Sequence, residues 1–200
     1  LEALDQDSKL SFQDLSIVVE NESISWLRNL EQNEGRFLDP SIIVDGIDAS
    51  FCASSDFDLD GDLDLLLLEA DADRVTIYEN NGTGGFTNSH VVYSESGSNP
   101  QHALLRDLNE DGYLDIVVAL KDVGRVIVLQ SNPDAPFDFV SIDSILESSN
   151  VVHVDCGDID GDGDTDIIAT GKDSTTSEYY IHWFSNGGEF WFTQPNEQLT

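Results

Sequence analysis

Basic residues are scarce: 8 Lys and Arg stand against 40 Asp and Glu, a formal charge of −32 over 200 residues. So acidic a chain has little with which to neutralise phosphate, which excludes nucleic acid and anionic lipid surfaces as partners. It suits metal cations, a basic partner, neutral glycans or a high-salt medium. Cysteine is nearly missing, with only Cys52 and Cys156. A dense disulfide framework is therefore excluded, and the pair reads as two buried thiols rather than one bridge. No apolar stretch approaches the roughly 18 residues of a membrane span, so no membrane insertion is expected. Methionine is absent and no signal peptide is visible. The expectation is a mature or trimmed product, or part of a longer protein.

Apolar residues are not in short supply. They make up 40% of the chain, which is too many for the disorder that such acidity otherwise suggests. They fall in short runs rich in β-branched residues, such as "LDLLLLEA", "LDIVVAL" and "RVIVLQ". No segment sustains an apolar period of about 3.6 residues. The expected class is all-β.

The acidic residues repeat. "DFDLDGDLD" at 56–64, "DLNEDGYLD" at 107–115 and "DIDGDGDTD" at 158–166 begin 51 residues apart and share the pattern D-x-[D/N]-x-D-G-x-x-D. A further 51 residues upstream lies Asp5, in "DQDSKLSFQD", a degenerate copy with Lys9 and Leu10 in place of Asp-Gly. After each copy comes an apolar run: "LSIVV", "LLLL", "IVVAL" and "IIAT". A large residue then precedes an Asn by three positions in the pairs Trp26/Asn29, Tyr78/Asn81, Leu129/Asn132 and Trp183/Asn186. A Phe follows each pair, at 37, 86, 137 and 190. Asn81-Gly82 and Asn186-Gly187 are dipeptides of two-residue type I′ hairpins, which need positive φ at both positions.

Each unit thus reads as four antiparallel strands: A before the acidic loop, B after it, C ending at the Asn and D starting at the Phe. Four-stranded units at this period are the mark of β-propeller blades. One propeller-type domain over 1–200 is expected, with blades near 1–47, 48–98, 99–149 and 150–200.

Acidic loop, apolar strand, large residue before Asn, and Phe together resemble the FG-GAP/VCBS repeats, including those of integrin α-subunit propellers. The resemblance spans essentially the whole chain. It implies a propeller that acts in extracellular adhesion. Two features depart from the family: the degenerate first loop, and four units where rings of about seven blades are usual.

The loop chemistry is that of a hard cation. Alternate carboxylates at positions one, three and five, followed by a Gly that allows a sharp turn, wrap an ion in oxygen ligands. The side chain at position nine and the backbone carbonyl at position seven complete the six to eight oxygens that Ca²⁺ takes. The candidate ligands are Asp56, Asp58, Asp60, Asp62 and Asp64; Asp107, Asn109, Asp111, Tyr113 and Asp115; and Asp158, Asp160, Asp162, Asp164 and Asp166. Residues 62, 113 and 164 would act through their carbonyls. An EF-hand is excluded, since it needs Glu at position twelve, where Leu67, Val118 and Ala169 stand. Zn²⁺ would call for His or Cys. About three Ca²⁺ sites are expected, with the one at Asp5 and Asp7 in doubt.

Outside the loops, His102 and His153 share one position in successive units, five residues before the loop, and Phe51 holds it in the unit before. The two imidazoles and the unrepeated Trp191 are the candidates for ligand binding. Trp26, Tyr78 and Trp183 match Leu129 and so read as core. Arg74, Arg106 and Arg125 are expected to pair with carboxylates. No nucleophile-and-base arrangement or phosphate loop is convincing, and no catalytic residue is assigned. The expected function is that of an extracellular, calcium-stabilised, non-catalytic module presenting loops to a protein or glycan. Alternatives are a carbohydrate-active enzyme of the propeller polysaccharide-lyase kind, a lectin, or a structural spacer. Self-association, or completion by further blades of a longer chain, would finish the ring.

Overall fold

A computed structural model describes residues 16–20, 23–27, 41–147, 150–188, 190 and 192–193. All regular structure among them is β-strand, and every pairing is antiparallel. The first sheet has three strands, β1 (Ser16–Glu20), β2 (Ser23–Leu27) and β3 (Ser41–Asp45). The second is the meander β4 (Ala49–Ser55), β5 (Asp64–Glu69), β6 (Arg74–Glu79) and β7 (Asn88–Ser94). β8 (Pro100–Arg106), β9 (Asp115–Leu120), β10 (Arg125–Ser131) and β11 (Phe139–Glu147) form the third. The fourth is β12 (Val151–Gly157), β13 (Asp166–Lys172), β14 (Tyr179–Asn186) and β15 (Phe192–Thr193). Four-stranded units with the acidic loop between their first two strands are what the repeat predicts.

The B strands explain why these runs are apolar on both sides. In β5 and β9 every residue is buried, so successive side chains, which point to opposite faces, must each meet another sheet. Leu65 and Leu67 face the first sheet, where Ile24, Ile43 and Val44 meet them. Leu66, Leu68, Val75 and Ile77 face the third sheet and pack on Ile116, Val118, Ile127 and Leu129. Val117, Ala119, Val126 and Val128 of the third sheet cover Val154, Ile167, Ala169 and Phe184 of the fourth. Each fully buried Leu or Ile contributes about 2–3 kcal/mol of hydrophobic stabilisation. The described sheets therefore stack face to face in chain order.

Register locates two corrections to the sequence reading. Tyr78 pairs with Leu65 and Leu129 with Ile116, and the corresponding partner of Ile167 is Phe184, not Trp183. Between these register partners the β13–β14 hairpin is four residues longer than its counterparts, through one more residue in each strand and two in the turn, so Phe184 takes the core position and Trp183 faces the other way. Nor do the Asn-Gly dipeptides form two-residue turns. Gly82 has φ 77°, but Asn81 lies outside the positive-φ region, and eight residues separate β6 from β7. Side chains shape that connection: Asn81 Oδ1 accepts from the backbone of Thr83 at 3.0 Å and of Gly85 at 3.1 Å. Asn29, Phe37 and the degenerate loop at Asp5 and Asp7 lie outside the described residues. The two cysteines are free, as expected, but half-buried rather than buried.

Candidate metal centre

The three acidic loops, 56–64, 107–115 and 158–166, leave the A strand and end on the first residue of the B strand. Each puts two residues in the left-handed region. Position six is always Gly: Gly61, Gly112 and Gly163 have φ between 90° and 101°. Position four is Leu59 (φ 60°), Glu110 (φ 60°) or Gly161 (φ 81°). These turns aim backbone N–H groups inward at the carboxylates. Asp56 accepts from Asp60 N at 3.1 Å and Gly61 N at 3.0 Å, and Asp58 accepts from Asp60 N at 3.2 Å. The second loop repeats this: Asp107 accepts from Asp111 N and Gly112 N at 3.1 and 2.8 Å, and Asn109 from Asp111 N at 3.2 Å. In the third loop Gly161 N donates to Asp158 at 2.7 Å and Asp162 N to Asp160 at 3.2 Å. Position five accepts from position seven in all three, at Asp60–Asp62, Asp111–Tyr113 and Asp162–Asp164.

Position nine does more than the sequence suggested. Asp64, Asp115 and Asp166 are fully buried, and each carboxylate bridges two backbone N–H groups. One comes from loop position two: Phe57, Leu108 or Ile159, at 3.1, 2.9 and 2.9 Å. The other comes from the end of strand C: Asn80, Ser131 or Asn186, at 2.9, 3.0 and 2.8 Å. The ninth Asp is thus a bracket that ties the loop to the C strand, as well as a ligand candidate. Sequence reasoning missed the strand-C partner because no side chain marks it.

Two of the loops bring three carboxylates together. Oxygen atoms of Asp56, Asp58 and Asp64 lie within 4.8 Å of one another, as do those of Asp158, Asp160 and Asp166. The second loop has Asn109 where those have a third carboxylate. Burial pushes Asp64 up to about 7, against its two N–H donors and with the charges of Asp58 and Asp60 adding to the rise. Burial also raises Asp115. Asp58 is raised by burial, then by the charges of Asp60, Asp56 and Glu79. A carboxylate held off its usual range by low dielectric and like charge gains most from a bound cation. Hard, all-oxygen donors converging at this spacing fit Ca²⁺.

The loops are also wedged into the stack. Phe57 at position two sits in the core between the second and third sheets, 6.3 Å from the ring of Phe139. Leu108 does the same one sheet on. Asn186 links two loops, its side-chain amide donating to the carbonyls of Leu108 and Thr165 at 3.2 Å each. A cleft of about 390 Å³ lies beside them, lined by Arg106, Asp107, Glu110, Asp164 and their neighbours.

At the far end of the A strands, His102 and His153 come together. Their ring centroids are 3.8 Å apart, and Phe51 packs on His102 at 4.8 Å. All three follow a β-bulge at the same place in β4, β8 and β12. Burial, then the neighbouring His153, lowers the pKa of His102. Trp191 lies outside the described residues. Of the three cations, Arg74 pairs with Glu69 at 2.6 Å and Arg125 with Glu95, whereas Arg106 makes no ion pair with the described residues.

Comparison with known proteins bears on the same segments. A family model of the FG-GAP-like repeat matches residues 56–118 and 107–169, each match starting on the first Asp of a loop. No curated protein matches. The crystal structure of the V. cholerae biofilm matrix protein Bap1 is similar at 16% identity and TM-score 0.44, over 84% of this chain and 25% of that one. The present chain therefore spans about a quarter of that protein's length.

Proposed function

Because the chain belongs to the FG-GAP-like repeat family, we propose that it is a calcium-clamped, propeller-type binding module of extracellular adhesion, without catalytic chemistry. Residues 1–200 make one domain, and the four units near 1–47, 48–98, 99–149 and 150–200 are its blades. Ca²⁺ binds in the three intact loops through positions one, three, five and nine and the carbonyl at seven. Each ion fixes the turn between strands A and B. The D–A and B–C loops of the stiffened blades are displayed to a protein or glycan ligand. Near-millimolar extracellular Ca²⁺ suits loops of this type, and the adhesion role rests on the family.

The observation that carries this reading is the buried ninth Asp, repeated three times and, in the first and third loops, set beside two further carboxylates. Titration calorimetry and thermal melting with CaCl₂ or EDTA test it. Three ions each at about 100 times Kd add roughly 8 kcal/mol to folding, so EDTA should lower the melting temperature steeply. Melting indifferent to EDTA refutes the metal reading.

Acidity supplies a second readout. The folded pKa of Asp64, about 7, lies above the unfolded value of about 3.9. Between those pH values the folded chain holds a proton that the unfolded chain has lost. In EDTA, stability therefore falls as pH rises through this window and levels off above it. Ca²⁺ keeps the carboxylate ionised, so its stabilising effect grows over the same window.

A further inference from the structure

The chain holds two Asn-Gly dipeptides, Asn81-Gly82 and Asn186-Gly187. They are alike in sequence but stand at different places in the fold. Asn186 is the structural counterpart of Asn80. Both stand at the end of strand C and donate their backbone N–H to the ninth Asp of the loop. Both also donate through Nδ2 to the carbonyl of loop position eight, Leu63 or Thr165. Asn186 is fully buried, and a second carbonyl, that of Leu108, holds the same Nδ2. Asn81 lies one residue beyond this place and is exposed. Its Oδ1 accepts three hydrogen bonds, from Thr83 N at 3.0 Å, Gly85 N at 3.1 Å and Thr83 Oγ1 at 2.7 Å. No carbonyl of the described residues holds its Nδ2.

We infer that Asn81 is a site of spontaneous covalent modification, deamidating through a succinimide, and that Asn186 is protected from the same reaction. Gly82 N attacks Asn81 Cγ. The N–Cγ bond forms, the Cγ–Nδ2 bond breaks, and ammonia leaves with the proton that Gly82 N releases through water. Water then opens the succinimide at either carbonyl, leaving an aspartate or an isoaspartate whose backbone runs through the side chain. The sum is amide and water giving acid and ammonia, with no redox change. The bond from Thr83 N to Oδ1 closes a ring that contains Gly82 N, which turns Cγ toward the attacking atom. The three donors meet Oδ1 where negative charge develops in the tetrahedral intermediate. Gly82 has no side chain to obstruct the approach. Its N–H donates to Asn80 Oδ1 at 3.1 Å, a bond that deprotonation breaks, so the rate rises with pH. Asn186 has the same ring, closed by Gly188 N at 3.1 Å, but that N–H is the one donor to Oδ1 from the described residues. Two carbonyls grip its leaving nitrogen, and burial keeps water away.

The product lies against the first acidic loop. A Cβ on Gly82 would fall 2.5 Å from Asp62 Oδ2, so Gly82 has no room to move toward the loop. Deamidation adds a negative charge beside five aspartates, and the isoaspartate lengthens the backbone at this contact by one carbon. The inference stands without calcium, and its failure leaves the metal reading intact.

Peptide mass spectrometry tests it, on the intact chain incubated with CaCl₂ at neutral and mildly alkaline pH and digested in acid. The peptide holding Asn81 should gain the mass of an amide turned to acid at least about tenfold faster than the peptide holding Asn186. Isomerisation of the Asp-Gly pairs in the loops changes no mass and does not interfere. In urea the two peptides should convert at similar rates, because the fold alone separates them. Asn81→Gln, which would have to close a larger ring, should abolish the gain at its peptide. Thr83→Val removes the Oγ1 donor and should slow conversion about threefold, with circular dichroism confirming the fold. An Asn81 peptide that keeps its mass as long as the Asn186 peptide overturns the proposal, and so does conversion of both at one rate in the folded chain. A Thr83→Val chain that converts as fast as the wild type, or faster, overturns the role of the donors and shows that they lock the amide instead of activating it.

Discussion

The loop at 56–64 carries five aspartates at alternate positions, whereas the loop at 107–115 has Asn109 at the third and Tyr113 at the seventh. Their backbones nevertheless follow the same path. Position four has φ 60° in both, position six is a left-handed Gly, and the carboxylate at position nine takes N–H groups from loop position two and from strand C. Two jobs are therefore separable. The bracket at position nine and the Asx-type bonds at one, three and five shape the loop, and an amide serves at position three as well as a carboxylate. Under the proposed calcium reading, charge at positions three and seven tunes how strongly the shaped loop holds the ion, while its shape belongs to the fold.

The largest expected effect comes from breaking what the loops share. Asp64→Ala or Asp115→Ala strands two buried N–H donors, at a cost of about 3 kcal/mol each in EDTA. Urea denaturation measures it. Asp64→Asn and Asp115→Asn keep one acceptor oxygen and should lose less. If the alanine variants in EDTA match the wild type within about 0.5 kcal/mol, the bracket is not structural and position nine is only a ligand.

The second prediction changes the difference itself. Asn109→Asp gives the second loop a third carboxylate, and its Ca²⁺ affinity should rise about tenfold, since ligand charge tunes such loops. Asp58→Asn should weaken the first loop by a similar factor. Calorimetry on both variants follows the two sites, and stability in EDTA should move little. Equal affinities in all three proteins would mean that position three is not a ligand.

How much of this was legible in the sequence depends on where the information sits. Loop, strand order and family are local features repeated at a fixed 51-residue period, so they can be read by superposing the copies. That method fails where the period fails. A hairpin four residues longer between its register partners puts Phe184, not Trp183, in the place of Tyr78 and Leu129, and no local cue separates two adjacent aromatics. Asn81-Gly82 misled because dipeptide propensity yields to a longer loop that the Asn81 side chain organises. The bracket stayed hidden for another reason: its second donor is a backbone N–H, which leaves no trace in residue identity. The stacked pair His102 and His153 was recognisable as a shared position, but not as a contact, since contact depends on how tightly successive A strands converge.

The smallest effect lies at position four, where the loops differ in strain. Leu59 and Glu110 adopt φ 60°, a conformation that costs an L-residue about 1–2 kcal/mol, whereas Gly161 adopts φ 81° without that cost. A Cβ at Gly161 would meet nothing within 4 Å, so Gly161→Ala probes backbone strain alone and should destabilise by about 1 kcal/mol. Leu59→Gly and Glu110→Gly relieve strain but make the unfolded chain more flexible, so their net gain should be only a few tenths of a kcal/mol. The following N–H, that of Asp60 or Asp111, is held by two acceptors at once, which fixes the turn before any ion arrives. If Leu59→Gly instead loses more than about 1 kcal/mol, Leu59 contributes through packing that its 59% exposure does not suggest. Position four would then join the list of residues that distinguish one loop from another, rather than being a strain they share.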